Sequence, residues 1–292
     1  MSIGFRWLRA FRTVSKPTDS TFEQARAYKA VVEKLWAQPV FEASRALVPC
    51  EEAATVLVAE ARCGFVPLEL LSVLKEGTRI IALDGHDAML DVARKRAESV
   101  DTQKRIFFVD QRVGKISYAD GVFRAGICFD GLLTLRQTEQ AMGELARVSA
   151  DGATVLIAAP LAESFPEFYD ILDEALRAHD LLELVAPRIA KLKRTLLTPS
   201  RLAALARAAG LTQIAVEKLS WELAFAGGHE FLQSPLIRET FFPHWLGLIP
   251  SSDREPVLRY VGDAIDTYWH GRIFRTQISA ALLSAKASDG DA

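Results

Sequence analysis

The sequence predicts an α/β fold built on a mostly parallel sheet with helices on both faces, and three observations predict it. Short apolar runs alternate with amphipathic helical runs from Ala54 to Pro160. Acids close two consecutive strand-like runs, Asp84 after RIIAL and Asp110 after RIFFV. Gly77 and Gly152 stand where a helix should stop before the next strand.

Composition sets the outer bounds. Half of the 292 residues are hydrophobic, enough for a sizeable core. With 35 Lys and Arg against 37 Asp and Glu, the net charge of -2 gives no reason to expect a nucleic-acid partner. Cys50, Cys63 and Cys128 are widely spaced and form no CxxC pair. They encode neither a disulfide framework nor a zinc site, which fits a reducing cytoplasm. Charges interrupt every apolar run of the N-terminus, so no secretory signal is expected, and no later run reaches the length of a transmembrane segment.

In chain order, FRWLRAFR places Arg6, Arg9 and Arg12 beside Trp7, Leu8 and Phe11. Residues 5–12 are read as a lid helix over a cleft, with docking on an anionic membrane surface or a partner as the alternative. Thr21 to Val48 has helical periodicity interrupted by Pro39, which predicts two helices. ATVLVA, RIIALD, RIFFVD, AGICFDGLLTL and ATVLIAAP follow as strands, separated by the helical runs PLELLSVLKEG, AMLDVARKRAES and EQAMGELARVSADG. After Pro160 come a long helical stretch, the capped helix TPSRLAALARAAG and the strand TQIAVEKLSWEL. The aromatic-rich run from Ala226 to Pro250 is expected to pack over the sheet, before a helix around EPVLRYVGDAIDTYW and a final strand in FRTQISAALLSAKA. The expected organisation is an N-terminal helical flank (1–50), a nucleotide-binding core (51–160) and a C-terminal half with inserted cap helices and the last two strands (161–290).

VAEARCGFV, IIALDGHDAMLDVAR, DQRVGKISYADGVFRAGI and GELARVSADGATVLIAAP, in this order, resemble the class I S-adenosylmethionine-dependent methyltransferases, in particular the type 11 branch. The resemblance covers roughly Thr55 to Pro160. It implies a Rossmann-like, seven-stranded sheet with S-adenosylmethionine held beyond the carboxyl ends of the strands. It implies that Glu60 faces the methionine amino group, Asp84 holds the ribose diol, Asp110 contacts the adenine, and Gly64 is the loop glycine that survives. It also places Arg62 at the loop's first glycine and Val66 at its last.

Those substitutions divide the functional readings. Glycine permits positive φ and close approach of a ligand, whereas a side chain at Arg62 fills cofactor volume and Val66 resists positive φ. Each acid also has an ordinary alternative: a helix N-cap for Asp84, a solvated loop for Asp110, and a salt bridge with Arg62 for Glu60. Arg62 is alternatively a hook for a carboxylate or phosphate. The five histidines have no metal-ligand spacing, so no metal is expected. The favoured reading is a cytoplasmic pseudoenzyme with weakened or lost S-adenosylmethionine binding, acting as a binding or scaffolding module. The alternative is an active methyltransferase acting on a small molecule or protein.

Overall fold

In the computed structural model, which describes residues 17–49, 51–131 and 134–288, seven strands form one sheet in the order β3-β2-β1-β4-β5-β7-β6. The strands are β1 (Thr55–Ala59), β2 (Arg79–Asp84), β3 (Ile106–Asp110), β4 (Phe123–Cys128), β5 (Ser149–Pro160), β6 (Thr212–Phe225) and β7 (Phe274–Lys286). β1 to β5 pair in parallel, and β7 lies antiparallel between β5 and β6. The strands of the core are buried on both faces, as continuous apolar runs such as TVLVA require. This is the expected α/β architecture, and the last two strands fall where the sequence placed them.

Helices follow the strands and cover the sheet: α3 (Phe65–Val73), α4 (Asp87–Val100), α5 (Leu135–Val148) and α8 (Pro199–Ala208). α5 begins with a capping box, in which Thr134 and Gln137 exchange side-chain to backbone bonds. Its Met142 and Leu145 join Leu202 and Ala206 of α8 in the core on one face. The other face is covered by the N-terminal helices and by the cap helices α6 (Pro166–Ala178) and α7 (Leu182–Thr195), followed by α9 (Gly228–Gln233), α10 (Phe242–Leu246) and α11 (Arg254–Tyr268). A one-turn π-helical run, Leu236–Phe241, leads into α10.

Two local differences from expectation have physical causes. Pro39 does not split the N-terminal helix: α1 (Pro17–Ala27) runs through a π-helical stretch, Tyr28–Ala37, into α2 (Gln38–Ser44), with Pro39 in the first turn of α2. Pro39 cannot donate to the Leu35 carbonyl four residues back, and the Trp221 indole N–H takes that carbonyl instead, at 2.9 Å. Gly152 is not a helix stop, since α5 ends at Val148; it is a left-handed residue (φ 69°) inside β5, near the irregular β4–β5 register.

The basic and aromatic segment over residues 5–12 lies outside the described residues. Among those described, no helix is long and apolar enough to cross a membrane.

Candidate functional site

The carboxyl ends of β1, β2 and β4 converge on one cleft, and the turn after β1 forms its floor. Glu60 (φ 53°), Arg62 (φ 49°) and Gly64 (φ 83°) all adopt left-handed backbone there. Glycine adopts such backbone without strain, and of the three only Gly64 is a glycine. At Gly64 the requirement is strict, because a Cβ would lie 2.9 Å from Ala93 Cβ. Glu60 and Arg62 hold the same backbone despite their side chains, at a cost of roughly 1 kcal/mol or more each.

This corrects the strain expected at Val66. Glu60 itself occupies the first left-handed position, Arg62 the second, and Val66 is not in the turn at all. It is buried in the first turn of α3 and helical, so it imposes no strain on the loop.

The Arg62 guanidinium lies across the cleft among three carboxylates. Its Nη2 is 3.2 Å from Glu60 Oε2, its Nη1 3.7 Å from Asp84 Oδ2, and its Nε 3.6 Å from Asp130 Oδ1. Burial alone would lower its pKa, but Asp130, Glu60 and Asp84 outweigh burial and raise it further. The salt bridge to Glu60, the ordinary alternative for that acid, is present. An anion-hook role does not fit, because a carboxylate or phosphate entering here would face three like charges.

Asp84 ends β2 in register with Asp110 at the end of β3, so both acids sit at the carboxyl edge of adjacent parallel strands, as expected. Their environments differ. Asp84 is fully buried: its Oδ2 accepts from the Arg62 backbone N–H at 2.9 Å, and its Oδ1 from the His86 N–H and Nδ1, each at 2.9 Å. Burial alone would raise its pKa, but the His86 bond and Arg62 hold it below the usual carboxylate value. Asp110 is exposed at the outer edge. Burial pushes the Glu60 pKa above its ordinary value although Arg62 acts against it.

Three residues complete the arrangement that sequence reading missed. Asp130 follows β4, accepts from the Gly131 N–H at 2.7 Å, and receives the Tyr28 hydroxyl. Its signal was the Asp-Gly pair inside what reads as one long apolar strand; β4 ends at Cys128. Gly131 (φ 74°) gives the Arg62–Glu60 pair its room, since a Cβ there would lie 2.9 Å from Arg62 Nη2. Tyr28 comes from the π-helical stretch, and burial followed by the nearby Asp130 charge pushes its phenol well above its ordinary pKa.

The same stretch closes the cleft at other points. Trp36 Nε1–H donates to the Phe129 carbonyl at 2.8 Å. Arg96 of α4 donates through Nη1 both to Glu33 Oε1 (2.6 Å) and to the Cys63 carbonyl (2.7 Å), which ties the stretch to the turn. Between it, the strand ends and the π-helical turn at Leu236–Phe241 lies a cavity of 330 Å³, lined among others by Tyr28, Trp36, Arg62, Asp130, Leu236 and Phe241. Among the described residues, no group of three or more His, Cys, Asp or Glu side chains is arranged to hold a metal ion.

Comparisons with known proteins bear on this cleft. A protein-family profile described as a methyltransferase domain matches residues 63–157. The YcgJ protein of Bacillus subtilis superposes with a TM-score of 0.55 at 16% identity, over 87% of this chain and 100% of that one. Phosphoethanolamine N-methyltransferase 2 of Haemonchus contortus, solved in complex with S-adenosyl-L-methionine, gives a TM-score of 0.54 at 14% identity, over 97% of this chain and 60% of that one. At these identities the likeness is one of fold. No curated protein sequence matches the chain.

Proposed function

We propose, from the premise that this chain has the class I S-adenosylmethionine-dependent methyltransferase fold, that its donor site is closed by its own Arg62 and that it works as a non-catalytic binding module. The observation that carries this reading is the state of Asp84. The acid that the resemblance assigns to the ribose is fully buried, and both its oxygens already accept bonds from Arg62 and His86. In this arrangement the residues do not fit the cofactor.

To admit S-adenosylmethionine, Arg62 would have to leave its carboxylates. Separating one partner from a largely buried ion cluster costs roughly 3 kcal/mol, which is about a hundredfold in affinity. The module would keep the small-molecule cavity beside the turn, and we assign it to the reducing cytoplasm, where the free Cys63 and Cys128 would stay reduced.

Calorimetric titration tests the reading. S-adenosylmethionine should bind more weakly than about 100 μM, and Arg62→Gly should strengthen binding by about tenfold or more. Glycine suits the left-handed position, and Glu60, Asp84 and Asp130 would then face a cationic ligand without the Arg62 counter-ion. Val66→Gly should bring no gain, since Val66 is helical. Low-micromolar binding to the unmodified protein would return the chain to the active methyltransferases.

A further inference from the structure

We propose that the 330 Å³ cavity takes a small organic ammonium ion with an apolar body. The proposal rests on the closed-donor reading above, because it treats the cavity as a site in its own right rather than as the acceptor half of a transferase.

Two independent features point to this ligand class. The first is shape and lining: Tyr28, Trp36, Met89, Leu236 and Phe241 give the cavity an aromatic and thioether lining, suited to an apolar body and to contact with a cation. The volume lies at the lower end of the range of small-molecule pockets, about 300 Å³ upwards, so the ligand is compact.

The second is charge. Asp130 and Glu239 line the cavity, and the basic residues that line it are Arg62 and His86. Arg62 is shared among Glu60, Asp84 and Asp130, and His86 is bonded to Asp84, so the cluster keeps a surplus of negative charge. Asp130 is the carboxylate of the cluster that also lines the cavity, with part of its side chain open to solvent. An ammonium group beside Asp130 would meet that surplus. A carboxylate or phosphate would add to it. Glu239 is bonded to Gln24 and Arg238 at the rim, so it contributes less than Asp130.

The experiment uses three probes of one size and different charge: phenethylamine, 2-phenylethanol and phenylacetate. Calorimetry on the full chain should give the amine an affinity about tenfold or more above the alcohol, with no binding of the acid. Asp130→Asn should lower amine affinity about tenfold and leave the alcohol unchanged. Tyr28→Phe keeps the ring and frees the Asp130 carboxylate, so it should bind the amine at least as tightly as the unmodified protein. Equal binding of amine and alcohol, preference for the acid, or binding of none of the three overturns the proposal. If Asp130→Asn fails to fold, the ranking of the probes on the unmodified protein and on Tyr28→Phe decides. S-adenosylmethionine affinity is measured on the same preparation. Amine preference with tight cofactor binding overturns the closed-donor reading alone, and weak cofactor binding with no amine preference overturns this proposal alone.

Discussion

Asp84 is where one residue's surroundings set a measurable property of the whole protein. Its folded pKa lies below the unfolded value of about 3.9. Its stabilisation is therefore complete above that value and is lost as the pH falls through the folded value. Urea unfolding should show the midpoint dropping between about pH 4 and pH 2 more steeply than in Asp84→Asn. At neutral pH that variant should itself cost roughly 2 to 3 kcal/mol, because the donors from Arg62 and His86 lose a charged acceptor. Glu60 runs the other way: with its pKa raised by burial, its protonation on acidification favours the fold. At this scale the sequence was partly legible. Arg62 stands out because glycine has a physical task in such a turn, and its pairing with Glu60 follows from spacing alone. The left-handed backbone at Glu60 does not, because neither residue type nor neighbours demand it, and Val66, expected to strain the loop, is instead helical.

Among the elements, the π-helical stretch Tyr28–Ala37 does most to shape the cleft. It reaches the β4 turn through Tyr28 and Trp36 and the β1 turn through Glu33 and Arg96. Cys63 lies beneath this contact, fully buried, with its thiol donating to the Ala25 carbonyl at 3.2 Å. Burial pushes that thiol up to about 12, which makes it unreactive at neutral pH. Arg96→Gln should leave Glu33 buried without its partner, at a cost of roughly 3 kcal/mol, and loosen the stretch from the turn. Thiol labelling followed by mass spectrometry should then find Cys63 modified about tenfold faster, with Cys128 unchanged as internal control. Unaltered labelling would mean that Arg96 does not hold the stretch down. No sequence signal announces these contacts, since Glu33 and Arg96 are 63 residues apart and Tyr28 and Asp130 are 102 apart. The helix itself was legible from its periodicity, while its continuity through Pro39 depends on Trp221, 186 residues beyond Leu35.

Taken as a whole molecule, the chain holds its cap to the sheet with aromatic side chains. Trp245 stacks on Phe168 at 3.9 Å between ring centres, meets Phe165, Phe241 and Phe242 edge-on or stacked, and donates to the Tyr169 hydroxyl at 3.0 Å. Trp245→Ala should cost roughly 3 to 5 kcal/mol in urea unfolding and raise the binding of a hydrophobic dye, because it empties the contact between the two inserted segments. A variant within about 1 kcal/mol of the unmodified protein would mean the cap is held by other contacts. The seven-stranded sheet was legible because each strand carries its own pattern. That the inserted segments cover the strand ends was legible too, because those ends were the uncovered surface, while the partner of each ring was not, because aromatic content does not say which ring meets which. The place of β7 has a consequence for synthesis. It lies between β5 and β6 yet is made after both, and it pairs with β6 along nearly its whole length. While a ribosome is still adding residues 161–273, the β5 edge of the parallel core has no neighbour, and β6 has no strand to join it to that core. The nascent chain therefore carries an open sheet edge while those residues are added, the condition in which edge-to-edge association between growing chains competes with folding.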